Sequence, residues 1–354
     1  MSKMLDEIRQ QPAALDKTLR SELKGIEVLR ARFATQRPSF IILAARGTSD
    51  NAAQFGRYLL EIATGIPVSL AAPSIFTLYG ARVDYKDALV VAISQSGEST
   101  DTNLVLERAK ECGAMTIGVT NEASSALARL ADHVILVRAG REKSVAATKT
   151  YTGQLLAIYL LAYALGAPVS LEELRAMPAV VEGALSLESE IREKASRYRF
   201  MKNAVVVGRG LNYANAFEWA LKMMETCYVV AERFSSADFL HGPIAMVEQS
   251  FPVFLFAPAG VTWPSIREMI ARVHSLHAET LIVTDQSNRE ATGLKTTRSI
   301  TIPAKLHRKS AVPEELYTPL PYIVPAQIFA ACLAAEKGLN PDQPRALEKV
   351  TRTL

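Results

Sequence analysis

Ile42-Leu43-Ala44-Ala45-Arg46-Gly47 and Val205-Val206-Val207-Gly208-Arg209-Gly210 share one pattern: aliphatic residues, a small residue, then Arg-Gly. Each reads as a buried strand running into a tight turn. The two stand 163 residues apart, and the same offset lays Gly97 on Gly260 and Leu89–Ser94 on Pro252–Ala257. Gly118-Val119-Thr120-Asn121 meets Ile282-Val283-Thr284-Asp285 at an offset of 164. Three matches in register with one residue of drift imply a duplicated domain.

Outward from these phrases, short aliphatic or β-branched runs recur at Ser39–Ala45, Pro67–Ala71, Leu89–Ser94, Met115–Thr120 and His133–Val137. They recur again at Asn203–Gly208, Pro252–Ala257, Thr280–Thr284 and Ser299–Pro303. Stretches of helical spacing such as Asn51–Ile62 and Thr102–Cys112 lie between them. Strand–helix alternation predicts an α/β fold with parallel sheets flanked by helices, and near-continuous apolar strands predict a sheet covered on both faces. The expected organisation is a helical extension over 1–35 that packs on one half, a first domain over 36–185 and a second over 186–354.

Composition narrows the function. Of 354 residues, 49% are hydrophobic and 21% charged, which suits a globular chain. Forty basic against thirty-six acidic residues leave a net charge of +4, scattered rather than blocked, so nucleic acid is not an expected partner. Cys112, Cys227 and Cys332 are too widely spaced for a disulfide framework or a zinc site. Residues 1–10 carry no apolar signal core, and the run Leu155–Leu165 is about half of a membrane span. A cytoplasmic protein with no membrane partner is expected.

Two loops follow strands in the first half. Arg46-Gly47-Thr48-Ser49-Asp50 is one; Ser94-Gln95-Ser96-Gly97-Glu98-Ser99-Thr100 is the other. Ligands of open parallel sheets bind at the carboxyl ends of strands. Hydroxyls and a glycine at a helix N-terminus make a cradle for phosphate oxygens, because the N–H groups there lack intrahelical partners. One serine would suffice as a helix cap. The second half is the control: its counterpart of Ser94–Gly97 reads Ala257-Pro258-Ala259-Gly260, with no hydroxyl.

Glu218, Lys222 and Glu225 fall at i, i+4 and i+7 in the helical stretch Asn215 to Cys227, on one face. Phe217, Leu221 and Met224 mark the other. Taken alone, the charged face reads as solvated. Next comes Ser235-Ser236-Ala237-Asp238-Phe239-Leu240-His241-Gly242-Pro243, where Gly-Pro after His241 marks an exposing turn. His274 and His277 read as surface residues, and His133 and His307 carry no signal.

Together these motifs resemble the sugar isomerase (SIS) domain family. The Ser-Gln-Ser-Gly-Glu loop, Glu142-Lys143-Ser144-Val145-Ala146-Ala147-Thr148-Lys149, the Glu218/Lys222/Glu225 helix, the Leu-His-Gly-Pro segment and Asp342-Gln343-Pro344-Arg345 occur in the family's order. The resemblance covers nearly the whole chain as two tandem SIS domains, each a three-layer αβα unit. It runs toward the isomerase half of the glucosamine-6-phosphate synthases. In Ser235-Ser236-Ala237 and the ending Lys-Val-Thr-Arg-Thr-Leu it runs more closely toward the SIS-type deaminases.

The resemblance implies phosphate binding by Thr48, Ser49, Ser94, Gln95, Ser96 and Ser99, with Gly47, Val145 and Glu348 also lining the substrate. Ser99 stands where the synthases carry threonine, which keeps the hydroxyl. Glu225 would shuttle a proton between C1 and C2. His241, donated across a homodimer interface, would assist ring opening; Lys349 would hold the open-chain carbonyl; Glu218 and Lys222 would support them. The chemistry fits: one carboxylate can take the C2 proton and return it at C1, and histidine serves ring opening near neutral pH. Neither metal nor organic cofactor is implied. The sequence begins Met1-Ser2-Lys3 with no cysteine before Cys112, so glutaminase chemistry is not expected. The expected reaction is glucosamine 6-phosphate to fructose 6-phosphate and ammonia. The alternatives are aldose–ketose isomerisation, deamination of another amino sugar phosphate, a synthase-like isomerase, or a non-enzymatic sugar-phosphate sensor.

Overall fold

The structure is a computed structural model describing residues 2–295, 297–347 and 349. Two compact units emerge. One comprises residues 13–142 and 149–175 with Leu347 and Lys349; the other comprises residues 2–12, 143–148 and 176–346.

The first unit holds β1 (Phe40–Ala44), β2 (Val68–Leu70), β3 (Ala88–Ser94), β4 (Met115–Thr120) and β5 (His133–Leu136). They form one all-parallel sheet in the order β2-β1-β3-β4-β5. All seven residues of β3 are buried, the signature of a central strand covered on both faces. The helix Lys149–Ala164, which contains most of the apolar run, is buried all round and packs against the helix Thr48–Thr64.

The second unit holds β6 (Asn203–Gly208), β7 (Val230–Ser235), β8 (Pro252–Phe256), β9 (Glu279–Asp285) and β10 (Arg298–Ile302). Their order, β10-β9-β8-β6-β7, is the same topology read from the other edge. The duplication read from the sequence is therefore a duplication of architecture. β7 has no counterpart in the runs picked out above, because Glu232 and Arg233 interrupt it and Val230 and Glu232 are exposed. It is an edge strand paired on one side, so its pattern is not continuously apolar. Trp219, Phe254, Phe256 and Phe329 stack in this unit's core. The helix Pro319–Glu336 is apolar and long enough to cross a membrane, yet its side chains are buried inside the unit.

The division differs from the expected boundaries: residues 143–148 and 176–185, expected in the first domain, group with the second unit. The first thirty-odd residues do not go with one half: residues 2–12 belong to the second unit, and the rest of the helix Gln11–Thr35 belongs to the first. The tail is shared as well. Asp342 accepts hydrogen bonds from Ser2 Oγ and from the N–H groups of Lys3 and Met4 at 2.8–3.0 Å, holding the start of the Lys3–Arg9 helix. Arg345 lies over the Tyr228 ring at 3.9 Å. Leu347 and Lys349 group with the first unit.

Candidate functional site

In each sheet the chain order reverses between two adjacent strands, β1 and β3 in the first unit, β6 and β8 in the second. The carboxyl ends of such a pair frame a ligand crevice. In the first unit the loops leaving β1 and β3 are the two hydroxyl-rich segments. Each leads to a helix, Thr48–Thr64 and Thr100–Glu111, and neither N-cap residue, Gly47 or Ser99, caps its helix with a side chain. Arg46 joins the loops by pairing with Asp101 at 2.7 Å, which also neutralises a buried carboxylate in the first turn.

The second loop is held by its own hydroxyls. Ser94 Oγ accepts from the Gly97 N–H at 3.1 Å, Ser96 Oγ accepts from the Glu98 N–H at 3.2 Å, and Ser99 shares a proton with Thr102 at 3.0 Å. Gly97 adopts φ +67°, and a Cβ there would lie 2.1 Å from Ser125 Oγ, so only glycine fits. Ser49 lies within the first turn of its helix rather than in a loop. Its hydroxyl accepts from Gln154 Nε2 at 2.8 Å and is largely buried. Thr48 and Gly47 stand at the same helix start.

Gln95 points elsewhere. Its Nε2 donates to Glu142 Oε2 at 2.8 Å, and the same oxygen accepts from Thr150 Oγ1 at 2.6 Å and faces Lys349 Nζ at 3.3 Å. Glu142 is buried. The residue was quoted in the sequence only as part of a motif; the structure makes it the link between the β3 loop and the tail lysine. Its signal was weak: one acid in a run of small residues. Glu348 lies outside the described residues. Val145 sits half-buried in the second unit's segment 143–148, where Glu7 accepts from the Ser144 N–H at 3.0 Å and from the Lys143 N–H.

The second unit carries the charged triad. Glu218 and Lys222 are fully buried on the helix Tyr213–Cys227, with Nζ 3.4 Å from Glu218 and 2.5 Å from Glu225. Glu225 is 22% exposed. This corrects the reading of a solvated face: Phe217, Leu221 and Met224 are the half-exposed side. The helix packs on β6, β7 and the Pro319–Glu336 helix, so tertiary contacts turn the charges inward. Burial by itself would lower the Lys222 pKa, but Glu218 and Glu225 outweigh it and raise it, so Lys222 stays charged. Glu225 is thus a carboxylate fixed at its stem by a buried cation, with one edge reaching solvent.

His241 is exposed just past the short helix Ser236–Leu240, which Ser235 caps by accepting from the Asp238 N–H at 3.2 Å. His274, taken above for a surface residue, is half-buried and bonded to Thr280 at 2.9 Å. Among the described residues no cluster of His, Cys, Asp or Glu forms a metal site.

Two parallel five-stranded sheets flanked by helices, with hydroxyl-rich turns at the first sheet's reversal point, define the class of doubly wound α/β proteins. Within it, the SIS domain model matches residues 36–164 and 199–313, and the chain belongs to the SIS domain family, as a tandem pair. The glutamine–fructose-6-phosphate aminotransferase (isomerizing) of Aquifex aeolicus is 35% identical over 350 residues, covering 98% of this chain and 57% of the relative. This chain thus spans little more than half the length of the curated relatives it matches. The solved C-terminal domain of the glucosamine-fructose-6-phosphate aminotransferase of Francisella tularensis superposes with a TM-score of 0.86 at 27% identity, covering 97% of this chain and 98% of that one. The glucosamine-6-phosphate deaminase of Thermotoga maritima shares the fold, with a TM-score of 0.74 at 22% identity over 99% of this chain and 100% of that one.

Proposed function

We propose that this chain is an enzyme that opens an amino sugar phosphate and transfers a proton between its C1 and C2. Its substrate is glucosamine 6-phosphate, which with water yields fructose 6-phosphate and ammonia. The observation that carries the reading is Glu225, a partly exposed carboxylate held 2.5 Å from a buried, charged lysine. A proton shuttle needs one acid–base group fixed in place yet open to substrate, and that is what this geometry supplies.

The remaining roles follow from chemistry. Thr48, Ser49, Ser94, Ser96 and Ser99, with the two uncapped helix starts, take the phosphate. Gln95 serves by holding Glu142. His241, an exposed imidazole that can both donate and accept a proton, assists ring opening and comes from a partner subunit in a homodimer. Lys349 holds the open-chain carbonyl, positioned by Glu142. The 35% identity to an isomerizing aminotransferase supports the C1–C2 step.

Incubation with glucosamine 6-phosphate, with ammonia and fructose 6-phosphate both quantified, tests this. Equal yields of the two are expected. Ketose formed from an aldose phosphate without ammonia would replace deamination by simple isomerisation. Binding without turnover of either kind would make the chain a sugar-phosphate sensor.

A further inference from the structure

The second unit has the same reversal point as the first, between β6 and β8, but the loop after β8 carries one hydroxyl, Thr262, in place of the serine-rich run after β3. The backbone there kept a positive φ at both glycines, nearly identical at the first turn and more extended at the second. Gly47 and Gly210, equivalent by the repeat, adopt φ +58° and +56°; Gly97 and Gly260 adopt +67° and +131°. The crevice is not empty. Glu315, 2% exposed, places its carboxylate there: Oε2 accepts from the Thr262 N–H at 3.4 Å, at the start of the Trp263–Ser275 helix. A Cβ on Gly260 would lie 2.0 Å from Oε2, and one on Gly210 would lie 4.0 Å from Oε1. So Gly260 closes directly onto this carboxylate, while a Cβ on Gly210 would first meet Thr262 Cγ2 at 3.1 Å. The backbone of Glu315 is fixed too, its carbonyl accepting from the Thr318 N–H at 3.0 Å and from Thr318 Oγ1 at 2.9 Å.

We propose that the second unit's crevice is an anion site filled from within, with the Glu315 carboxylate as its resident ligand. It therefore takes no sugar phosphate while Glu315 is present, and opening it creates a site for a small carboxylate. Burial raises the Glu315 pKa, and the Thr262 hydroxyl with the N–H groups of Thr262 and Val261 opposes that rise, as donors facing a carboxylate do. The inference does not depend on the reaction proposed above.

The test is thermal unfolding with and without sodium formate, a carboxylate small enough for the vacated space. Glu315→Ala should melt lower than the parent, and about 100 mM formate should raise its Tm by roughly 2–4 °C more than it raises the parent's. Glu315→Gln, which keeps the shape and an acceptor oxygen, should show no such extra shift. Equal formate shifts in parent and Glu315→Ala would overturn the proposal. Should Glu315→Ala not accumulate folded, Glu315→Leu decides, since it fills similar volume without an acceptor. It should melt several degrees below Glu315→Gln or fail to fold where Glu315→Gln folds. Equal stability of the two would also overturn the proposal.

Discussion

Lys222 is the residue on which the candidate chemistry turns. It sits at zero exposure between two carboxylates, and a buried charge survives only when its partners compensate the lost hydration. Removing it strands Glu218 in the core. We expect Lys222→Met to lower stability by roughly 3–5 kcal/mol in denaturant unfolding, with Glu218→Gln in the same chain recovering part of the loss. Glu225→Gln keeps the shape but cannot take a proton, so kcat should fall by about 10²–10⁴ with KM nearly unchanged. Loss of ligand binding instead would make Glu225 structural. Ser96→Ala should act the other way, raising KM roughly tenfold with little change in kcat, as loss of one hydrogen bond to a charged ligand does. The triad's spacing was visible in the sequence. Its burial was not, because i, i+4, i+7 places three charges on one face without saying which face meets the core.

At the scale of elements, the turn after β3 leaves little room for change. Gly97→Ala puts a side chain into the Ser125 hydroxyl and forces a left-handed backbone, which should cost roughly 2–4 kcal/mol and lower phosphate affinity together. The start of β9 gives a pH-dependent element. Burial opposes the ionised form of Glu279, but the Arg197 hydrogen bond at 2.9 Å and the charges of Arg298 and Arg197 outweigh it and lower its pKa. A depressed carboxylate stabilises fully above its unfolded pKa, near 4.3, and that contribution vanishes as pH falls through the folded value. Glu279→Gln should therefore be less stable than the parent at pH 7, with the gap closing below about pH 4. A gap constant with pH would show that the pair contributes nothing through ionisation. The strands were legible wherever they are central, as β3 and β8 are. The edge strand β7 was not, since one-sided pairing leaves its side chains free to be polar.

At the scale of the whole molecule, the duplication has left two unequal halves. The first kept serines around its crevice, and the second kept the turns but placed Glu315 in them. If His241 works from a partner subunit, mixing His241→Ala with Glu225→Gln protein should restore up to about a quarter of parental activity in the whole mixture, since about half the dimers are mixed and each carries one intact site of two. Absence of any recovery in demonstrated mixed dimers would place each site within one chain. Glu142→Gln tests the tail. It should weaken the hold on Lys349 and lower kcat while leaving the β3 loop folded, a split that a merely structural role would not give.

The sequence by itself determined the strand order of alternation, the repeat and the positions of the hydroxyl-rich turns. Those depend on local pattern: aliphatic runs of strand length, glycine where φ is positive, small polar residues at helix starts. Only tertiary structure decided that Glu218 and Lys222 face inward, that Glu142 joins Gln95 to Lys349, and that Glu315 fills the second crevice. Each of those depends on which distant segments pack together, and a side chain's neighbours across tens of residues leave no period in the chain that carries it.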